Sequence, residues 1–119
     1  LSDPWPVEIR VHSAERRLEV TFDDGRSFSL PAELLRVESP SAEVQGHGPS
    51  QKQIVPGKRH VAITAVEPVG NYAVRIVFDD GHGTGIYSWP WLRRLGEQQD
   101  TLWRAYLDAL AAKGLTREP

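Results

Sequence analysis

The chain of 119 residues contains no cysteine and no methionine. Without thiols it has no disulfide, no cysteine nucleophile and no sulfur-ligated metal. Methionine is missing even from position 1, which fits a chain that lacks its original start residue. No apolar run approaches the roughly 18–20 residues of a membrane span, and no signal-peptide core is present. Basic residues number 14 against 16 acidic ones, a formal net charge of −2 with histidine neutral. There is therefore no basic excess for nucleic acid and no acidic solvating tail. Also missing are a Gly-x-Ser-x-Gly nucleophile elbow and a phosphate loop, which needs Gly-Lys-Ser/Thr at a helix entry. These absences predict a cytoplasmic protein that spans no membrane and needs no cofactor. The length fits one domain, residues 1–119, and 39% apolar content is enough for one modest core.

What the chain does have is a duplication. Phe-Asp-Asp-Gly occurs at residues 22–25 and again at 78–81, an offset of 78 − 22 = 56. Each copy follows an alternating apolar pattern. Each also precedes a second short strand pattern, a proline and a leucine-bearing helical start (Leu30-Pro31-Ala32-Glu33-Leu34-Leu35 and Trp89-Pro90-Trp91-Leu92). Asp-Gly between strand patterns is a hairpin signal, because glycine takes positive φ without a Cβ clash. The copies diverge after the glycine, with Arg26 in one and His82 in the other.

Val7, Ile9 and Val11 alternate with polar residues, as do Leu18, Val20 and Phe22, then Phe28 and Leu30. Period two predicts half-buried strands. Pro31 suits the first position of a short helix over residues 32–36. The second half repeats the pattern with Val61, Ile63 and Ala65, then Tyr72, Val74, Ile76 and Phe78. Trp91–Leu95 reads as a helical turn stopped by Gly96. The last element is an amphipathic helix with Asp100 as its N-cap and Leu102, Trp103, Tyr106, Leu107 and Leu110 as its stripe. Gly114 sits where a terminating glycine belongs, followed by Leu115. The fold class is α+β: two related strand-hairpin-helix halves forming a mainly antiparallel sheet, with a C-terminal amphipathic helix.

Residues 38–60 are the least regular stretch, and their length inside a small domain suits either a binding role or a polar loop held by its own caps. Ser41–Gln45 tolerates one helical turn. Lys52, Lys58, Arg59 and His60 form a local basic patch at a density typical of a solvated face. Arg93 and Arg94 lie beside Trp89 and Trp91, a combination suited to cation–π contact or an anion site. The paired carboxylates Asp23-Asp24 and Asp79-Asp80 are better explained by turn chemistry than by catalysis. Strand neighbours point to opposite faces, Asp bonds its own backbone in turns, and a turn solution can be reused.

Two segments are distinctive together. One is Leu35-Arg36-Val37-Glu38-Ser39-Pro40-Ser41-Ala42-Glu43-Val44-Gln45-Gly46-His47-Gly48, the other Asp80-Gly81-His82-Gly83-Thr84-Gly85-Ile86-Tyr87-Ser88-Trp89. From about Val7 to Leu110 the chain resembles the small family of unknown function named for its similarity to the N-terminal domain of gamma-butyrobetaine hydroxylase. In the hydroxylases that domain precedes a separate iron(II)/2-oxoglutarate oxygenase domain, for which this chain has no room. It carries a structural zinc on a Cys-x-Cys-x-x-Cys segment and the histidine of an Asp-Gly-His turn. Similar domains also occur joined to Mrp-type ATPases, which are iron–sulfur cluster carriers.

The resemblance puts the zinc positions at Ser39, Ser41, Val44 and His82. Valine has no ligating atom and neutral serine hydroxyls replace thiolates poorly, so the zinc site is expected to be lost. The resemblance also implies that residues 39–44 and the Asp-Gly-His turn meet in space. A divalent metal or small anion held by His82, His47 and Glu43 is the alternative. The primary expectation is a non-enzymatic accessory or protein-interaction module. Its partner is a protein, with an iron–sulfur carrier or an iron-dependent oxygenase as the link that the resemblance implies. The interaction surface is expected to comprise Ser39, Ser41, Glu43, Gln45, His47, Asp80, His82, Tyr87 and Trp89.

Overall fold

Two three-stranded antiparallel sheets, each continued by a helix, carry the duplication into three dimensions. The computed structural model describes residues 3–119, the side chain of Pro49 excepted. Strands β1 (Pro6–His12), β2 (Arg17–Phe22) and β3 (Ser27–Pro31) form the first sheet, and helix α1 (Ala32–Val37) follows. A single helical turn, α2 (Ala42–Gln45), lies in the irregular stretch. Strands β4 (Ile63–Val69), β5 (Ala73–Phe78) and β6 (Ile86–Ser88) form the second sheet, continued by α3 (Trp89–Glu97) and α4 (Gln99–Ala112). Among the described residues no helix is long and apolar enough to cross a membrane.

The halves match bond by bond. Phe22 N–H donates to the Arg26 carbonyl and Phe78 N–H to the His82 carbonyl, both at 2.8 Å. Gly25 and Gly81 take φ of +86° and +90°, the left-handed region the turn requires. The Asp23 and Asp79 side chains accept from the amides of Trp5 and Ala62 at 3.1 and 3.0 Å. The first strand of each sheet changes register at the same place, between Pro6 and Glu8 and between Ile63 and Ala65. The acid pairs are turn-formers, as their reuse implied.

The second aspartate of each turn is clasped by a helix from the other half. Arg36 of α1 donates to Asp80 at 2.7 Å, and Arg93 of α3 forks Asp24 at 2.7 and 3.0 Å. Between the sheets lies the main core. Leu18, Val20, Phe22 and Leu30 meet Ile76, Phe78 and Tyr87, with Leu34, Leu35, Leu92 and Leu95 from the helices. A second cluster of Val37, Tyr106 and Leu110 seats α4.

Several local expectations change. Pro31 closes β3 and caps α1 rather than opening it. Helix α3 runs through Gly96 to Glu97, and the glycine serves packing rather than termination, since a Cβ there would lie 2.4 Å from Phe28 Cγ. Helix α4 starts at Gln99, with Gln98 rather than Asp100 as its cap. Leu107 of the predicted stripe is 38% exposed. The terminating glycine is where it was read. Gly114 has φ +67°, its N–H reaches the Ala111 carbonyl, and Leu115 N–H reaches that of Leu110.

Candidate functional site

The Asp-Gly-His turn and the 39–44 segment meet, although 43 residues separate Ser39 from His82. The Ser39 hydroxyl lies 2.9 Å from His82 Nε2, and that of Ser41 lies 3.4 Å from the same nitrogen. The two hydroxyl oxygens are 3.2 Å apart, and Ser41 N–H donates to Ser39 Oγ at 3.3 Å. On the ring's other side, Nδ1 is 3.5 Å from Glu43 Oε2. A carboxylate only accepts, so the tautomer that suits this setting carries its proton on Nδ1, toward Glu43, and leaves Nε2 to accept from the serine hydroxyl pair. Glu43 is held in turn by the Thr84 hydroxyl at 2.7 Å.

Backbone geometry sets this convergence. Asp80 Oδ1 accepts the His82 amide at 2.9 Å and fixes the turn. Gly85 approaches so closely that a Cβ there would lie 2.5 Å from Ser39 Oγ. Tyr87 passes beneath and donates to the Leu35 carbonyl at 2.6 Å. Val44 is buried yet belongs to neither apolar cluster.

Burial lowers the His82 pKa, with the Arg36 guanidinium as the next cause, against opposition from Glu43 and Asp80. Burial alone would raise the Asp80 carboxyl, but Lys58, the His82 amide and Arg36 outweigh it and hold it far below the usual range. Burial pushes the Tyr87 hydroxyl well above its ordinary value. The node therefore stays neutral at His82 and anionic at Asp80 near neutral pH.

Ser39, His82 and Glu43 stand in the order of a nucleophile, base and acid. Ser39 is wholly buried, however, and its hydroxyl faces no solvent. Among the described residues no group of three or more His, Cys, Asp or Glu side chains is placed to hold a metal ion. His82 and Glu43 come together, whereas His47 does not join them. It is exposed, and its amide donates to Gln51 Oε1 at 2.9 Å.

The expected interaction surface divides. Ser39, Ser41, His82 and Tyr87 are interior residues, because they satisfy one another across the node and the core. Tyr87 pairs with Val74 in the sheet, which turns its ring inward and leaves Ile86 outside. The Asp80 carboxylate is covered by Arg36 and Lys58. Trp89 is half-buried, donates to the Asn71 carbonyl at 2.9 Å and lines a separate apolar groove with β1 and β4. Glu43 and His47 remain exposed, and Gln45 is half-buried.

The outer side of the same segment forms one wall of an open cleft of about 570 Å³. Pro40, Gln45, Gly46 and Gly48 face Trp91 and Arg94 of α3, with Lys52 beside them. The node positions this wall, since Gln45 Nε2 donates to the Ser39 carbonyl at 2.9 Å. Trp91 Nε1 donates to the Glu38 carbonyl at 3.1 Å, and Lys52 reaches the Glu38 carboxylate at 2.6 Å. Gly46 is required at φ +66°, where a Cβ would lie 2.6 Å from Gln51. The pairing of Arg94 with Trp91 was legible in the sequence; Arg36, Glu38 and Lys58 as organisers were not, for they reach residues that nothing in the spacing connects.

A profile described as gamma-butyrobetaine hydroxylase-like, N-terminal, matches residues 9–93. Two NMR solution structures resemble the chain throughout. One is 44% identical with a TM-score of 0.85, covering 99% of this chain and 93% of the other. The second is 49% identical with a TM-score of 0.85, covering 99% and 88%. A crystal structure of a protein of unknown function from Acidithiobacillus ferrooxidans ATCC 23270, in the DUF971 family, is 47% identical. Its TM-score is 0.68, covering 80% of this chain and 98% of that one. No curated protein matches the chain.

Proposed function

Because the chain belongs to the gamma-butyrobetaine hydroxylase-like N-terminal domain family, whose relative in Acidithiobacillus ferrooxidans has unknown function, we propose that it is a non-enzymatic protein-interaction module. Its recognition face is the outer side of the 40–52 segment with α3. The observation that carries this reading is the two-sided character of the segment. Its inner side carries Ser41, which with the adjoining Ser39 packs on His82 of the second turn, all three buried and in hydrogen-bond contact. Its outer side opens on the cleft beside Trp91. Side chains satisfied internally rigidify a surface without acting on a substrate.

The partner class that the family resemblance supports is an iron–sulfur carrier protein. This chain has no cysteine, so the cluster's thiolates belong to the partner. The module's part is docking.

Gly48 gives a direct test, since a Cβ built there meets nothing within 4 Å. A photo-crosslinking residue at position 48 is expected to yield a discrete adduct in host cells, competed by unlabelled wild-type protein. The same residue at Val7, in the apolar groove, is expected not to yield that adduct. Equal adducts from both positions, or none from position 48, would contradict the reading.

A further inference from the structure

The cleft has a charge bias that names its partner's chemistry. No carboxylate-bearing residue lines it, while Arg94 does and so does Lys52, whose charge is already met by Glu38 behind the wall. The two arginines of α3 behave differently. Arg93 is spent on Asp24 and Glu97. Arg94 has no carboxylate within ion-pair distance among the described residues, and its guanidinium lies 5.0 Å over the Trp91 ring. A guanidinium stacked on an aromatic face keeps its in-plane N–H donors free for a bidentate carboxylate. Lys52 makes one contact, to Glu38, and an ammonium has three donors.

We infer that the cleft takes an extended, carboxylate-rich segment of a partner protein, with Arg94 as its anchor. This rests on the interaction reading above and adds the class of partner. A nucleic acid suits the cleft less well, because phosphate binding draws on many cations and this chain carries a formal net charge of −2. The wall is set before binding, since Gln53 N–H donates to the Val44 carbonyl at 2.7 Å and Gly46 is locked against Gln51. Pre-set geometry reduces the ordering cost of association.

The test is an amide NMR titration of the whole chain with a short peptide alternating glutamate and glycine. Its glutamine counterpart and a short single-stranded oligonucleotide serve as the other arms. The acidic peptide is expected to move the signals of Gly46, Gly48, Arg94 and the Trp91 indole N–H saturably. Arg94→Glu should weaken that binding about tenfold or more, and Arg94→Lys by less, because it keeps the charge and loses the fork. Unchanged signals away from the cleft certify both variants as folded. No movement with the acidic peptide, equal movement with the glutamine peptide, or stronger movement with the oligonucleotide would overturn the inference. If any of these occurs while the position-48 adduct persists, only the acidic partner is lost. If the adduct is absent too, both readings fall.

Discussion

His82 occupies the position at which the two copies of the turn first diverge. In the first half the equivalent turn ends in Arg26, whose guanidinium lies over the half-buried Phe28 ring. In the second it ends in an imidazole 7% exposed, hydrogen-bonded to Ser39 through Nε2 and with Glu43 3.5 Å from Nδ1. The sign of its pH effect follows from its lowered pKa. Between the folded value and the ordinary value near 6.5 the unfolded chain binds the proton and the native chain does not. Stability therefore falls as pH drops through the ordinary histidine range and is full above it. Urea midpoints across that range should show this slope in the wild type and a smaller one in His82→Gln. The substitution itself should cost about 1–3 kcal/mol at neutral pH, since it strands buried hydroxyls. An identical slope in both proteins would show that His82 is not the titrating group. That His82 meets Ser39 and Ser41 was legible only through the family resemblance, because no local spacing connects positions 43 apart. Tyr87 shows the opposite case. In a three-residue strand with Ile86 and Tyr87 both apolar, the pattern leaves the inward face open, and pairing with Val74 decides it.

The elements were easiest to read where a pattern occurs twice. Alternation gave β2 and β5, and the repeated Asp-Gly gave both turns, because those signals depend on a few adjacent residues. Helix α3 was misjudged at Gly96 because its constraint comes from a distant ring. Phe28, on β3, lies against the glycine's Cα and leaves no room for a side chain there. This reverses a general rule. Gly→Ala inside a helix ordinarily stabilises by about 1 kcal/mol. Here Gly96→Ala places a methyl 2.4 Å from a ring atom, and overpacking of that kind typically costs about 1–3 kcal/mol. Thermal unfolding of Gly96→Ala is expected to show a lowered midpoint. A raised midpoint would mean that Phe28 gives way and that the packing of α3 on β3 is loose.

At the scale of the molecule, two similar halves hold each other reciprocally, Arg36 on Asp80 and Arg93 on Asp24. The duplication made the halves visible; the exchange between them was hidden, since each arginine reaches across to the other half's turn. One consequence is that the Asp-Gly-His turn is fastened from two sides, by Arg36 and Lys58 through Asp80 and by the serines through His82. The 39–45 segment is tied to that turn through the serines and presents the cleft on its far side. The role proposed for His82 is that of a hydrogen-bonded post rather than a metal ligand. The most direct measurement is the ring ¹⁵N NMR of His82 near neutral pH, before and after addition of excess Zn²⁺, Fe²⁺ or Mn²⁺. The account predicts a neutral ring protonated on Nδ1, with Nε2 accepting, and shifts that the metals leave unchanged. A saturable metal-induced change at Nε2, or a proton on Nε2 in the metal-free chain, would contradict it.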